Sequence, residues 1–175
     1  MIYLLGANAA IATSNAAPPA PVPGPWLTDL IAALGPATAG PAGTITQGML
    51  FTHNYTANPC TGIRAQWGGP PSANIKLTLW NWSLGTVIAT QTVAPLSVGL
   101  VQTTSLFGSH TLSGGAQYAV SMYVAGQRPV QAGMPFGTPR TYTNFIVNSA
   151  FIYTFADAFP GSSAPSYATY IEPIY

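Results

Sequence analysis

IKLTLWNWSLGTVIATQTV, residues 75–93, is the stretch that decides the fold. Ile75, Leu77 and Leu79 alternate with Lys76, Thr78 and Trp80, which gives a strand one apolar face and one mixed face. Asn81-Trp82-Ser83-Leu84-Gly85 carries the Asn, Ser and Gly of a short connection. Thr86–Val93 is rich in β-branched residues and reads as the returning strand. The stretch is a β-hairpin.

The same texture extends on both sides, from Thr44 to the last residue. Further strands are expected at Thr44–Tyr55, Gly62–Trp67, Leu100–Leu106, Gln117–Val124, Thr141–Val147, Phe151–Phe155 and Tyr167–Ile174. Turn clusters separate them, such as Asn58-Pro59, Gly68-Gly69-Pro70-Pro71, Ser113-Gly114-Gly115 and Pro160-Gly161-Ser162-Ser163. Many short strands without intervening helices predict an all-β fold, an antiparallel, jelly-roll-like β-sandwich over residues 44–175.

Residues 1–43 read differently, as an extended arm. Pro18, Pro19, Pro21, Pro23 and Pro25 favour a polyproline spacer. One short helix follows, over residues 26–34. Leu27, Leu30, Ile31 and Leu34 hold helical spacing, and Gly35-Pro36 is a stop signal. About nine residues do not make a stable helix alone, so the apolar face must dock. Packing on its own domain is the default. The spacer before it raises a second expectation, that Trp26, Leu27, Leu30, Ile31 and Leu34 anchor the arm on a partner.

Charge is the compositional anomaly. Only 4% of the 175 residues are Asp, Glu, Lys or Arg, and the net charge is +1; about 25% is ordinary. Such a chain has no field to steer nucleic acid or an acidic membrane surface. No apolar run reaches the roughly 20 residues that span a bilayer. Met1–Ala12 is apolar without the basic start of a secretion signal, and none is expected there. Low charge favours association, so the surface is expected to face other subunits, which sedimentation would test.

Candidate chemistry is sparse. The anions are Asp29, Asp157 and Glu172; an acid–base pair from Asp157 and Glu172 is outweighed by ordinary surface or ion-pair roles. His53 and His110 have no metal-ligand spacing, and Cys60, the single cysteine, reads as a buried thiol. No nucleophile elbow, phosphate loop or dinucleotide fingerprint occurs. No catalytic residue, metal or cofactor is expected. Trp82 in the turn, with Trp67 and Tyr55, could stack on a sugar ring, although strand aromatics mostly fill cores.

Thr61-Gly62-Ile63-Arg64-Ala65-Gln66-Trp67, Leu77-Thr78-Leu79-Trp80, Gly85-Thr86-Val87-Ile88-Ala89-Thr90, Ser113 to Tyr123, and the closing Phe159-Pro160 and Tyr167 to Ile171 follow one another in a recognisable order. The pattern resembles a bacterial and phage β-sandwich module known as a domain of unknown function, number forty eighty-two. It covers roughly residues 44–175. This chain departs from it at Ala65-Gln66 and at Ile171-Glu172-Pro173. The resemblance implies a carbohydrate-binding-style sandwich of the kind attached to secreted bacterial proteins or phage tails, with no catalytic residues. The expectation is a non-enzymatic structural protein of a phage virion, a capsid decoration or a tail or fibre component. It would be a homo-oligomer in contact with other virion proteins through apolar surfaces and the N-terminal clamp. The alternative is a module that binds host or cell-surface glycans.

Overall fold

The computed structural model describes residues 24–54, 59–68, 74–94, 99–129, 132–133, 135, 137–164 and 166–175. In chain order the elements are α1 (Pro25–Leu34), β1 (Ala39–Ala42), β2 (Ile45–His53), β3 (Gly62–Trp67), β4 (Ile75–Asn81), β5 (Thr86–Val93) and β6 (Gly99–Gln102). A 3-10 turn (Ser105–Phe107) precedes β7 (Gln117–Val124), β8 (Gln127–Pro129), β9 (Ala132–Gly133) and β10 (Arg140–Thr141). The chain ends in β11 (Phe145–Thr154), β12 (Ser162–Ser163), β13 (Tyr167–Ala168) and β14 (Ile171–Ile174).

The large sheet runs β10-β11-β2-β7-β4-β5, with β12 also on β11; the small sheet runs β14-β3-β6. Both are antiparallel. Alternation in β4 does what the sequence predicts. Ile75, Leu77 and Leu79 enter the main core, while Thr78 bonds Thr90 on the other face and Lys76 meets Asp157. That core also takes Met49 and Phe51 from β2, Val120 and Met122 from β7, Ile63 and Trp67 from β3, and Ile171 from β14. The two sheets therefore close over one apolar layer, as in a sandwich.

The connecting turn is also as expected. Asn81 Oδ1 accepts the Leu84 N–H at 3.1 Å, and Gly85 takes a φ of 63°, which a β-carbon would resist. Where the strands differ from expectation, local polar bonds are the reason. Leu100–Leu106 stops as a strand at Gln102, because the Thr104 side chain accepts the Leu106 N–H and caps the 3-10 turn. Thr141–Val147 and Phe151–Phe155 are not two long strands. A single strand, β11, runs through the polar Asn148-Ser149 step, with register shifts on either side of Ser149.

Residues 24–42, read as part of the arm, pack on the sandwich. The Ala37 N–H donates to Gln66 Oε1 at 2.7 Å, the Tyr170 hydroxyl donates to the Gly35 carbonyl at 3.1 Å, and β1 pairs with β8. The expected boundary at residue 43 is not a break in packing. Residues 1–23, with the proline spacer, lie outside the described residues.

Candidate functional site

Among the described residues the charged side chains are tied down within the chain. Glu172 is fully buried. Its Oε2 accepts the backbone N–H of Trp26 at 3.0 Å and of Leu27 at 3.3 Å, and its Oε1 lies 3.2 Å from Arg64 Nε. The carboxylate thus caps the start of α1, where Gly24 offers no side-chain cap of its own. Burial pushes the Glu172 carboxyl up, and Arg64 with the helix N–H groups pulls it back. Asp157 is elsewhere, held by Lys76 at 2.9 Å on the outer face of the large sheet. Asp157 and Glu172 therefore serve separate cations and make no acid–base pair. Asp29 on α1 accepts from Arg140 Nη2 at 2.7 Å and from the Tyr142 hydroxyl at 2.6 Å, which ties the helix to β10 and the residue beyond it.

The two histidines are likewise structural. His53 is buried, stacks on Tyr175 with centroids 5.5 Å apart, and sits 3.3 Å from its hydroxyl. Burial pulls the His53 imidazole below its ordinary value. His110 exchanges backbone hydrogen bonds with Cys60, and its Nε2 contacts the Phe107 carbonyl at 2.9 Å. Cys60 is buried, its thiol pushed up to about 11 by that burial, and it donates to the Gly62 carbonyl at 3.4 Å. Among the described residues no three His, Cys, Asp or Glu side chains gather where they could hold a metal ion.

The expected anchors and aromatics are mostly internal. Trp26, Leu27 and Leu30 are wholly buried in the chain's own core, and the Trp26 indole donates to the Thr169 carbonyl at 3.3 Å. Ile31 is half-buried against the same core, and only Leu34, 38% exposed, faces outward. The helix uses its apolar face at home, so Trp26, Leu27 and Leu30 are not free to anchor a partner in this arrangement. Trp67 is also core. Trp82 is half-buried beneath Phe159, with centroids 5.1 Å apart, in a small cluster with Trp80, Ala119, Ile152 and Leu50 on the outer face of the large sheet. Tyr55 lies outside the described residues.

One surface element stands apart. β5 ends the large sheet. It is eight residues, TVIATQTV, with no charge and no proline. Thr86, Val87, Thr90 and Thr92 are exposed. A free strand edge offers a row of unpaired N–H and C=O groups, and proteins blunt such edges with short strands, charges, prolines or covering elements. The other edges here are blunted. β10 is two residues and includes Arg140; β6 is four residues; β14 carries Pro173 and the buried Glu172 and lies under α1. Among the described residues β5 has one bulge, at Ile88, no charge and no proline, and beyond β4 only the 3-10 turn packs beside it. Beside it the Gln91 amide bonds Thr104, which holds the 3-10 turn with Leu106 at 88% exposure. Leu84 and Val87 add 72% and 51% exposed side chains at the hairpin end.

The sequence identified β5 as a strand but not as an edge. Edge status depends on which strands β4 and β7 pair with, and no local pattern encodes that. The only local sign was eight residues without a charge. The arrangement can pair backbone with another chain and cover apolar side chains. No family model, curated protein or solved structure matches this chain.

Proposed function

We propose that the chain is a non-enzymatic structural subunit of a phage virion, a capsid decoration or a tail or fibre component, held to its neighbours by apolar and backbone contacts. The observation that carries the reading is an open, uncharged strand edge on a molecule with 4% charged residues. Its three anions each face a cation of the same chain, so few charges are left to keep subunits apart. The clamp expected of the arm is confined in this reading to residues 1–23, because α1 belongs to the core.

Association through such contacts is nearly independent of salt, since burial at about 25 cal/mol per Å² involves no screened charge. The full chain should sediment as an oligomer equally at about 0.1 M and 1 M salt, and purified phage particles should contain it in fixed copy number. A dilute monomer that is absent from particles would overturn the proposal. Glycan binding is the second reading, and it rests on the exposed part of Trp82. It requires saturable glycan binding that Trp82→Ala abolishes.

A further inference from the structure

We propose that β5 pairs edge to edge, antiparallel, with β5 of a second copy about a two-fold axis, joining two large sheets into one. The inference rests on the assembly reading above and names the partner of that surface.

The occupant follows from comparing the edges. A second copy of this chain brings the same set of described edges. β10 and β12 are two residues each, β6 is four, and β14 carries Pro173 beneath α1. None offers a long, uninterrupted ladder. β5 offers eight residues, of which Ala89–Val93 run without a bulge. Within the described part of this molecule, the match for β5 is β5.

Two-fold pairing also sets a charge condition. Each side chain on one strand lies opposite or diagonal to a copy of its own strand's side chains, so any charge would meet its like. TVIATQTV has no charge to repel. Threonines at 90 and 92 and valine at 87 are types that favour cross-strand contact. Leu106 and Leu84, exposed beside the same strand, would be covered as the edges meet.

The test uses the full chain and the double variant Val87→Glu/Thr92→Glu, which places like charges on both β5 strands at exposed positions, with residue 92 facing Lys76 of its own chain. Sedimentation gives the mass of each, thermal melting checks that the variant is folded, and hydrogen exchange of the unmodified chain is read at high and low concentration. The expected result is a dimer that the variant loses while still melting cooperatively, with concentration-dependent protection of residues 86–93 in the unmodified chain. An oligomer that survives the double substitution overturns β5 pairing while leaving the assembly reading standing. A full chain that is monomeric at every concentration overturns the pairing, and particle composition alone then decides the assembly reading. Protection of residues 1–23 together with 86–93 overturns it too, because the N-terminal segment would then be what occupies the edge.

Discussion

The Glu172 carboxylate accepts the backbone N–H of Trp26 at 3.0 Å, across 146 positions of the chain. The last strand thereby completes the first helix. Arg64 Nε lies 3.2 Å from the other oxygen, so one buried group joins α1, β3 and β14. Removing it takes the carboxylate from a guanidinium that is only 19% exposed and opens two helix N–H groups. Glu172→Ala should cost about 3 kcal/mol of unfolding free energy, at the low end of what breaking a buried pair costs because Arg64 keeps some water. Gly24→Ala should also destabilise, since its β-carbon would come within 2.6 Å of the Glu172 carboxyl carbon. Urea unfolding of both variants is the check, and unchanged midpoints would remove the cap from the account.

Gln47 runs against the usual pairing of buried polar groups. Its side chain is fully buried in β2, and among the described residues neither amide atom has a hydrogen-bond partner. An unsatisfied buried amide costs about 1–3 kcal/mol. Gln47→Met keeps the length and removes the polar atoms. It should raise stability by about 1 kcal/mol, or roughly 2–4 °C in Tm for a chain of this size. A lower Tm would mean that the amide is satisfied in solution.

Cys60 tests how closed the far end of the core is. Its thiol is pushed up to about 11, so only about a thousandth is thiolate at pH 8, and the thiolate is the reactive form. Native protein should leave Ellman's reagent unreacted, and urea-unfolded protein should release one equivalent. Fast native labelling would show that the segment around Cys60 opens readily.

Acid should weaken the fold through His53. Burial holds its pKa below the ordinary 6.5, so between the two values the unfolded chain binds a proton that the native chain refuses. Stability from this group is complete above about 6.5 and falls as pH drops below it, with a slope of at most about 1.4 kcal/mol per pH unit. His53→Phe keeps a ring against Tyr175, 5.5 Å away in the native stack, and removes the titration. Its stability should vary less between neutral and mildly acidic pH, measured as urea midpoints. An identical acid slope in both proteins would assign the loss to other groups.

The parts legible in sequence were those encoded by neighbours along the chain. Ile75, Leu77 and Leu79 point one way because strands alternate, and Leu27 and Leu30 share a helix face because helices turn every 3.6 residues. Gly35 with a φ of 79° ends that helix where the glycine predicted. The illegible parts are long-range. Nothing near Glu172 announces a helix start, since the N–H groups it meets belong to Trp26 and Leu27. Trp82 sits in a turn, which predicts exposure, yet Phe159 from a distant loop covers it. The edge position of β5 is likewise a property of the whole sheet order.

Deleting residues 1–35 separates a dispensable clamp from a structural helix. For an arm that only grips neighbours, the remainder folds and merely fails to assemble. Here the deletion removes Trp26, Leu27 and Leu30, all wholly buried, and uncovers Glu172 and the β14 surface on which α1 packs. Burying one Leu side chain is worth about 1.5–3 kcal/mol, so the loss of all three approaches the whole 5–15 kcal/mol of a typical domain. The truncated chain should be largely unfolded or aggregated by circular dichroism, whatever its partners. Full secondary structure with a cooperative melt in that truncation would show that the sandwich closes without α1, and would return the helix to the role of an anchor on a neighbour.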